Sequence, residues 1–288
     1  VVPTMSGPPP IERPADVRPR RDADEVPAGP DGAEQEGIER GQARLVELGG
    51  ARRTEDPGLG ATLLSWPGRG PSFNHATCLR WTTEAWQAGA GVVAERLAGG
   101  GETPCLVVSE GLTTPTDLAE RLTTAGWLEL GSEVVMWTRR AAAVPHLDGR
   151  LRLEAVTAPR VAAYEAVERD IFGISDREAD DRREALASSI DGGNLRVYLV
   201  QEEGRPVATA RLFVEDGLAA IHGLGVVTDA RRRGLGAYLT TIVTRAGLAL
   251  GASLVWLSVD PENTAAVSLY AGLDYRPAFS WRRFLGVD

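Results

Sequence analysis

Residues 226–239 read Val-Val-Thr-Asp-Ala-Arg-Arg-Arg-Gly-Leu-Gly-Ala-Tyr-Leu and join a strand-like run, 221–227, to an apolar segment with helical periodicity. The pattern predicts a strand, a glycine turn and a helix. The first amides of a helix have no intrahelical acceptor, and the helix dipole makes this end partially positive. Glycines let the backbone approach an anion, and arginines add bidentate donors. The stretch therefore predicts a phosphate-binding turn, with a tight turn carrying solvated arginines as the alternative.

A second block lies about thirty residues further on, where a strand-like segment, 254–260, is followed by Asn263 and Tyr270. Together the two blocks resemble the GCN5-related N-acetyltransferase (GNAT) superfamily. The first is similar to its pyrophosphate-binding motif, Gln/Arg-x-x-Gly-x-Gly/Ala. The second is similar to its Asn-x-x-Ala-x-x-Leu-Tyr-x-x-x-Gly-Phe segment. Asp274 and Tyr275 stand near the place of the usual Gly-Phe, so the resemblance is looser at that end.

The resemblance implies an α+β fold, in which a mixed, mostly antiparallel sheet is flanked by helices. It is strong over 195–285 and moderate over 150–194. Residues 60–140 read as strand, helix, strand, helix, strand, which mirrors the later half of that fold, and 116–127 looks like a worn copy of 263–275. This half has no Arg-x-x-Gly-x-Gly at the matching junction. We therefore expect two tandem copies with a degenerate first copy; an unrelated α/β cap domain is the alternative.

The domain organisation follows from this reading and from composition. Residues 1–33 are rich in Pro, Gly, Asp and Arg without apolar periodicity, and predict a disordered tail. Residues 34–140 are expected to form the degenerate GNAT-like domain, opening with a helix over 34–48. A linker over 141–150 then leads to the GNAT acetyltransferase domain, 151–288.

Periodicity and turn signals predict further elements in both halves. Strands are expected at 61–66, 75–81, 104–109, 134–137, 151–156, 197–200, 207–214 and 218–227. Helices are expected at 83–97, 118–125, 162–172 and 176–190, the second of them capped by Thr116-Asp117.

The resemblance also implies roles for residues in the two blocks. The two middle strands, 218–227 and 254–260, are expected to splay apart and admit the pantetheine arm of coenzyme A. An N–H near Val226 is expected to stabilise the oxyanion, and Tyr270 is expected to protonate the leaving thiolate. The expected cofactor-binding residues are Val226, Val227, Arg231, Arg232, Arg233, Gly234, Leu235, Gly236, Ala237, Asn263 and Tyr270.

A general base is expected on the strand before the glycine turn, where the family often has a Glu or a water relay. His222 stands nine residues before Arg231, and the ordinary pKa of histidine suits a base near neutral pH. The alternative is a neutral histidine that is hydrogen-bonded in the sheet. Ser258 and Asp260 rank below His222 as groups facing the gap.

Composition limits the classes of function. The net charge of −9 and pI near 5.1 disfavour broad nucleic-acid binding. Cys78 and Cys105 form neither a disulfide framework nor a metal-binding spacing, and no metal site is expected. No apolar run reaches the roughly 18–20 residues that would cross a bilayer, and no secretory signal is evident, so a cytoplasmic location is expected.

The leading hypothesis is an acetyl-CoA-dependent N-acyltransferase in which an amine of a small molecule attacks the thioester directly in a ternary complex. Residues 160–195 are expected to line one wall of the acceptor pocket. Two alternatives stay open: a transferase that takes its acyl group from aminoacyl-tRNA or a longer acyl-CoA, and a non-catalytic coenzyme A-binding module.

Overall fold

The computed structural model of the protein describes residues 28–147 and 150–286. The predicted tail therefore lies outside the described residues up to residue 27. The first helix begins at Gly32, after a capping box in which the Asp31 carboxylate accepts from the Glu34 amide at 2.8 Å and the Glu34 side chain accepts from the Asp31 amide at 3.0 Å.

Eleven strands and seven α-helices are found within these residues. The strands are β1 (Arg52–Asp56), β2 (Ala61–Ser65), β3 (His75–Thr77), β4 (Cys105–Ser109), β5 (Leu128–Thr138), β6 (Leu151–Ala155), β7 (Leu195–Glu202), β8 (Arg205–Glu215), β9 (Leu218–Val226), β10 (Leu254–Val259) and β11 (Arg276–Leu285). The helices are α1 (Gly32–Leu48), α2 (Trp86–Ala98), α3 (Leu118–Thr124), α4 (Val161–Phe172), α5 (Asp176–Asp191), α6 (Leu235–Ala249) and α7 (Thr264–Ala271).

The strands form one continuous sheet in the order β1-β2-β3-β4-β11-β5-β10-β9-β8-β7-β6. The pairs β3·β4 and β9·β10 are parallel, and every other neighbouring pair is antiparallel. The prediction of a mixed, mostly antiparallel sheet flanked by helices is thus confirmed.

The two halves of the chain repeat the same topology. Two antiparallel pairs in the N-terminal half, and three in the C-terminal half with its one additional strand, lead to a parallel pair, β3·β4 or β9·β10. A helix (α2 or α6) connects the two parallel strands, and a shorter helix (α3 or α7) leads to the last strand of that half. The predicted correspondence between the segments around α3 and α7 agrees with this repeat.

The last strand of each half lies inside the other half. Strand β5 pairs with both β10 and β11, while β11 pairs with both β4 and β5. Trp137 of β5 is accordingly buried in the core of the C-terminal half, and Phe284 of β11 is buried in the core of the N-terminal half. The sheet is therefore continuous because the halves exchange strands.

The structure differs from the predicted elements at several places, and strand β11 was not predicted. Strand β1 was not predicted, because its residues Arg52–Asp56 carry no apolar pattern. The strand expected over 75–81 ends at Thr77, since Cys78 adopts a positive φ of 53°. The Asp117 side chain does not cap α3; its carboxylate instead accepts from Arg121 at 2.7 Å.

No helix in the described part of the chain is both long and apolar enough to cross a membrane.

Candidate active site

The parallel strands β9 and β10 separate part of the way along their length. Their register pairs end at Ala220 and Trp256, although β9 continues to Val226 and β10 to Val259. The predicted splay of the two middle strands is present. The separated ends open a cavity of about 880 Å³.

The glycine turn lies at one end of this cavity. Gly234 precedes α6 with a left-handed φ of 82°, and Arg232 has a φ of 60°. Tyr238 makes the first backbone hydrogen bond of the helix, to the Gly234 carbonyl at 2.9 Å. The amides of residues 235–237 therefore have no intrahelical acceptor, as an anion-binding helix N-terminus requires.

The close packing of this turn explains its second glycine. A Cβ on Gly236 would come within 3.0 Å of Leu269 Cδ1 on α7. Gly236 also lines the cavity, so a larger residue would displace α7 or fill the space above the helix N-terminus.

The three arginines of the turn have different surroundings. Arg231 donates from Nε to the Val226 carbonyl at 3.0 Å. Arg232 is exposed and lines the cavity. Arg233 forms an ion pair with Glu202 and does not line the cavity. The side chains of Arg231 and Arg232 therefore remain at the cavity, whereas that of Arg233 is paired with β7.

The backbone of Val226 faces the gap between the strands. Val227 donates its amide to the Val207 carbonyl at 3.0 Å. Because hydrogen bonding alternates along antiparallel pairs, the N–H and C=O of Val226 point away from β8 and towards β10. Val227 itself is buried and uses its amide within the sheet, so it does not line the cavity.

Helix α7 holds two of the predicted residues on the opposite side of the gap. The Asn263 side chain caps this helix by accepting from the Ala266 amide at 3.2 Å. Tyr270 is buried and lines the cavity, and within the described residues its hydroxyl has no hydrogen-bond partner. Burial raises the pKa of Tyr270 to about 12, so the phenol keeps its proton at neutral pH.

His222 lines the cavity on β9, where it is paired with Arg211 of β8. The residue is exposed to solvent within the cavity, and Arg211 and Arg182 are close enough to act on its charge. Desolvation first, and then Arg211 and Arg182, lower the pKa of His222 to about 3. These causes favour the neutral imidazole, which makes His222 a weaker base than an ordinary histidine.

A buried ionic cluster that we did not predict lies beside His222. Arg211 donates from Nη2 to Glu168 Oε1 at 2.6 Å, and Arg182 approaches Glu168 Oε2 at 3.7 Å. The guanidinium of Arg211 occupies the space that a side chain on Gly223 would fill, and Gly223 has a φ of 59° in the bulge of β9. The available signal was a single charged residue, Arg211, within the otherwise uncharged run 207–214.

Ten of the twelve predicted site residues thus line one cavity. They are His222, Val226, Arg231, Arg232, Gly234, Leu235, Gly236, Ala237, Asn263 and Tyr270. Ser258 and Asp260 line it as well, as do Phe172 and Ile174 from the expected acceptor wall.

The matching position in the N-terminal half is closed. Beyond the parallel pair β3·β4, Thr114 donates to the Leu79 carbonyl at 3.2 Å and accepts from the Trp81 amide at 3.0 Å. The Trp81 indole donates to the Leu59 carbonyl at 2.7 Å and packs against α2 where a side chain on Gly89 would lie. A loop and an indole ring thus occupy the position where the C-terminal half opens its cavity.

Comparisons with known proteins agree with this architecture. Residues 161–275 match the model of the acetyltransferase (GNAT) family. A GCN5-related N-acetyltransferase from Kribbella flavida aligns over 88% of this chain and 94% of its own, with 19% identity and a TM-score of 0.68. A tandem GNAT protein from the clavulanic acid biosynthesis pathway, solved without AcCoA, aligns over 78% of each chain, with 16% identity and a TM-score of 0.61.

A GCN5-related N-acetyltransferase from Sphaerobacter thermophilus aligns over 74% of this chain and 71% of its own, with 19% identity and a TM-score of 0.57. No curated protein matches the chain significantly. At these identities the structural likeness shows the fold, and the family match places the open cavity within the matched segment. Residues 161–275 therefore match the GNAT acetyltransferase family, and the whole chain has the fold of solved GNAT structures, one of them a tandem GNAT protein.

Proposed function

We propose that the protein transfers an acetyl group from acetyl-CoA to an amine of a small molecule, in a single site between β9 and β10. The observation that supports this proposal most strongly is the meeting of two features in one cavity. The unsatisfied amides at the start of α6 lie at one end, and the separated strands leave room beside them for a pantetheine arm.

The chain fits the diphosphate of coenzyme A at the turn. Amides of residues 235–237 have no intrahelical acceptor, and the glycine at position 236 keeps the space above them open. Arg232 supplies a positive charge at the edge of this space. Asn263 would contact the arm from α7.

Acetyl-CoA supplies the thioester, and the residues of the gap supply the polar groups around it. The Val226 amide, which faces the gap, would donate to the carbonyl oxygen as negative charge develops there. The amine forms the new C–N bond and the C–S bond breaks. The Tyr270 hydroxyl would donate a proton to the departing sulfur, and the proton released by the amine restores the balance through solvent.

His222 fits this scheme as a neutral hydrogen-bond acceptor for the incoming amine. Its low pKa makes it a poor final acceptor of the proton. The cations that contribute to the low pKa of His222 would also lower the pKa of an amine bound beside it, which favours the nucleophilic form.

Calorimetric titration with coenzyme A and acetyl-CoA tests the donor site. We expect wild-type protein to bind both, and Gly236→Val to lose binding, because the new side chain would fill the space next to Leu269. Gly91→Val is the matched control, since Gly91 lies in the middle of α2 with open space around it. Equal binding by wild type and Gly236→Val would exclude this turn as the donor site.

A further inference from the structure

The wall of the cavity beside His222 is apolar. It consists of the end of α4 and the turn that follows, with Ile171, Phe172 and Ile174 among the lining residues. A side chain on Gly225 would collide with Ile171 and Phe172, so this wall lies directly against β9. Phe172 is 46% exposed although it is a large apolar side chain. We name Ile171, Phe172 and Ile174 the acceptor wall.

The carboxylate on α4 that lines the cavity is already paired with cations. Glu168 lines the cavity but is only 3% exposed, and it is held by Arg211 and Arg182. Glu178, on α5, pairs with the same Arg182 at 3.4 Å. A buried carboxylate with two cationic partners has little attraction left for a third cation.

One other carboxylate lines the cavity. Asp260 lies beyond the end of β10 and accepts from the Glu262 amide at 2.8 Å through Oδ1. Three arginines, Arg211, Arg231 and Arg232, line the same cavity. Positive charge thus outnumbers negative charge among the lining residues, in accordance with the lowered pKa of His222.

We propose that the acceptor is a primary amine on an apolar, uncharged body, and that a second ammonium group is excluded by the acceptor wall and the Arg211–Glu168–Arg182 cluster. This inference rests on the proposed acetyl transfer and narrows its substrate class. The apolar body would pack on Phe172 and its neighbours, and the amine would lie beside His222. A diamine or polyamine would place its second charge against apolar side chains, beside a carboxylate that two arginines already hold.

A matched pair of amines tests the inference in the intact protein. Hexylamine and 1,6-diaminohexane have the same chain length and differ in one terminal charge. We expect kcat/KM for hexylamine to exceed that for the diamine by at least tenfold, measured as thiol release from acetyl-CoA. Equal values, or a preference for the diamine, would overturn the inference.

Two variants of one exposed residue locate the selectivity. Phe172→Glu places a carboxylate on the acceptor wall and is expected to shift the hexylamine/diamine ratio towards the diamine by tenfold or more. Phe172→Leu keeps the wall apolar and is expected to retain the wild-type ratio. An unchanged ratio in Phe172→Glu would place the amine body elsewhere and contradict the inference.

Calorimetry with acetyl-CoA separates this failure from failure of the proposed function. Binding of acetyl-CoA without acetylation of either amine counts against the acceptor class alone. Absence of acetyl-CoA binding removes the proposed acetyl transfer and the inference with it.

Discussion

At the scale of single residues, the site combines groups whose protonation states are set by their surroundings. Tyr270 is buried and keeps its proton, whereas His222 is held neutral by desolvation and by two arginines. The sequence motif predicted where Tyr270 lies, because the helix that carries it begins at Asn263. It could not predict the state of His222, which depends on Arg211 of another strand and Arg182 of a distant helix.

Tyr270→Phe removes the proposed acid and little else, since the ring stays in place. We expect kcat to fall by about 100-fold or more, with the dissociation constant of acetyl-CoA unchanged. Steady-state kinetics and calorimetry on the same preparation measure both. A variant with wild-type kcat would show that the sulfur obtains its proton from another source.

The pH profile tests the state of His222. With a folded-state pKa of about 3, the imidazole does not titrate between pH 5 and 8. We therefore expect kcat/KM to rise with pH as the acceptor amine deprotonates, without an added inflection near 6.5. His222→Gln should lower the rate but keep the shape of the profile; loss of a limb near 6.5 in the variant would assign that limb to His222 as a general base.

His75 makes stability depend on pH in a predictable direction. It is 4% exposed, and burial, with Arg283 as the next cause, lowers its pKa to about 4. Its neutral form is favoured in the folded state, so its contribution is complete above the unfolded pKa of about 6.5. As pH falls from 6.5 to 4, each unit costs up to about 1.4 kcal/mol. Urea unfolding of wild type and His75→Gln across this range should show a smaller pH dependence in the variant.

Asp274 occupies the position where the family motif usually has glycine, and the structure gives the reason for that preference. Its φ is 66°, a left-handed conformation that L side chains rarely adopt. Asp274→Gly should therefore stabilise the protein by about 0.5–1 kcal/mol. Chemical denaturation measures this; a destabilised variant would mean that the exposed carboxylate makes a contribution larger than the strain.

At the scale of secondary-structure elements, most helices and strands follow from periodicity and caps. Strand β5 shows what periodicity cannot predict, which is the neighbours of a strand in the sheet. Its apolar end, around 134–137, was predicted, but its placement between β10 and β11 was not. Strand pairing between distant segments leaves no local pattern in the sequence, because either half of the sheet would bury the same side chains.

The exchange of β5 and β11 predicts how the chain behaves when it is cut. A protease site inserted into the predicted linker, within 141–147, should allow cleavage without separation of the fragments. Each fragment contributes a strand to the interior of the other's sheet, so the two should elute together in size-exclusion chromatography and still bind coenzyme A. Fragments that part without denaturant would contradict the exchanged arrangement.

At the scale of the whole molecule, the motifs of the C-terminal half predicted the fold class and the position of the cavity, and the order of elements over 60–140 predicted the repeat. The N-terminal half was expected to be degenerate because it has no Arg-x-x-Gly-x-Gly motif at the matching junction. The physical form of that degeneracy is visible only in the structure, since Trp81 and Thr114 meet across a gap that their sequence positions do not reveal. The acidic overall charge, likewise, did not predict that arginines outnumber acids inside the cavity.

Two repeats that exchange their last strands have the connectivity expected of a domain-swapped homodimer whose two chains were joined by a short linker. In such an ancestor both partners would have been equivalent, each with its own reaction chamber. After such a fusion one open cavity would suffice, and the other could be filled by bulky residues such as Trp81 while its repeat still packs against its neighbour. If so, substitutions in the N-terminal repeat that preserve its packing should be tolerated. None of them should abolish turnover without also destabilising the fold.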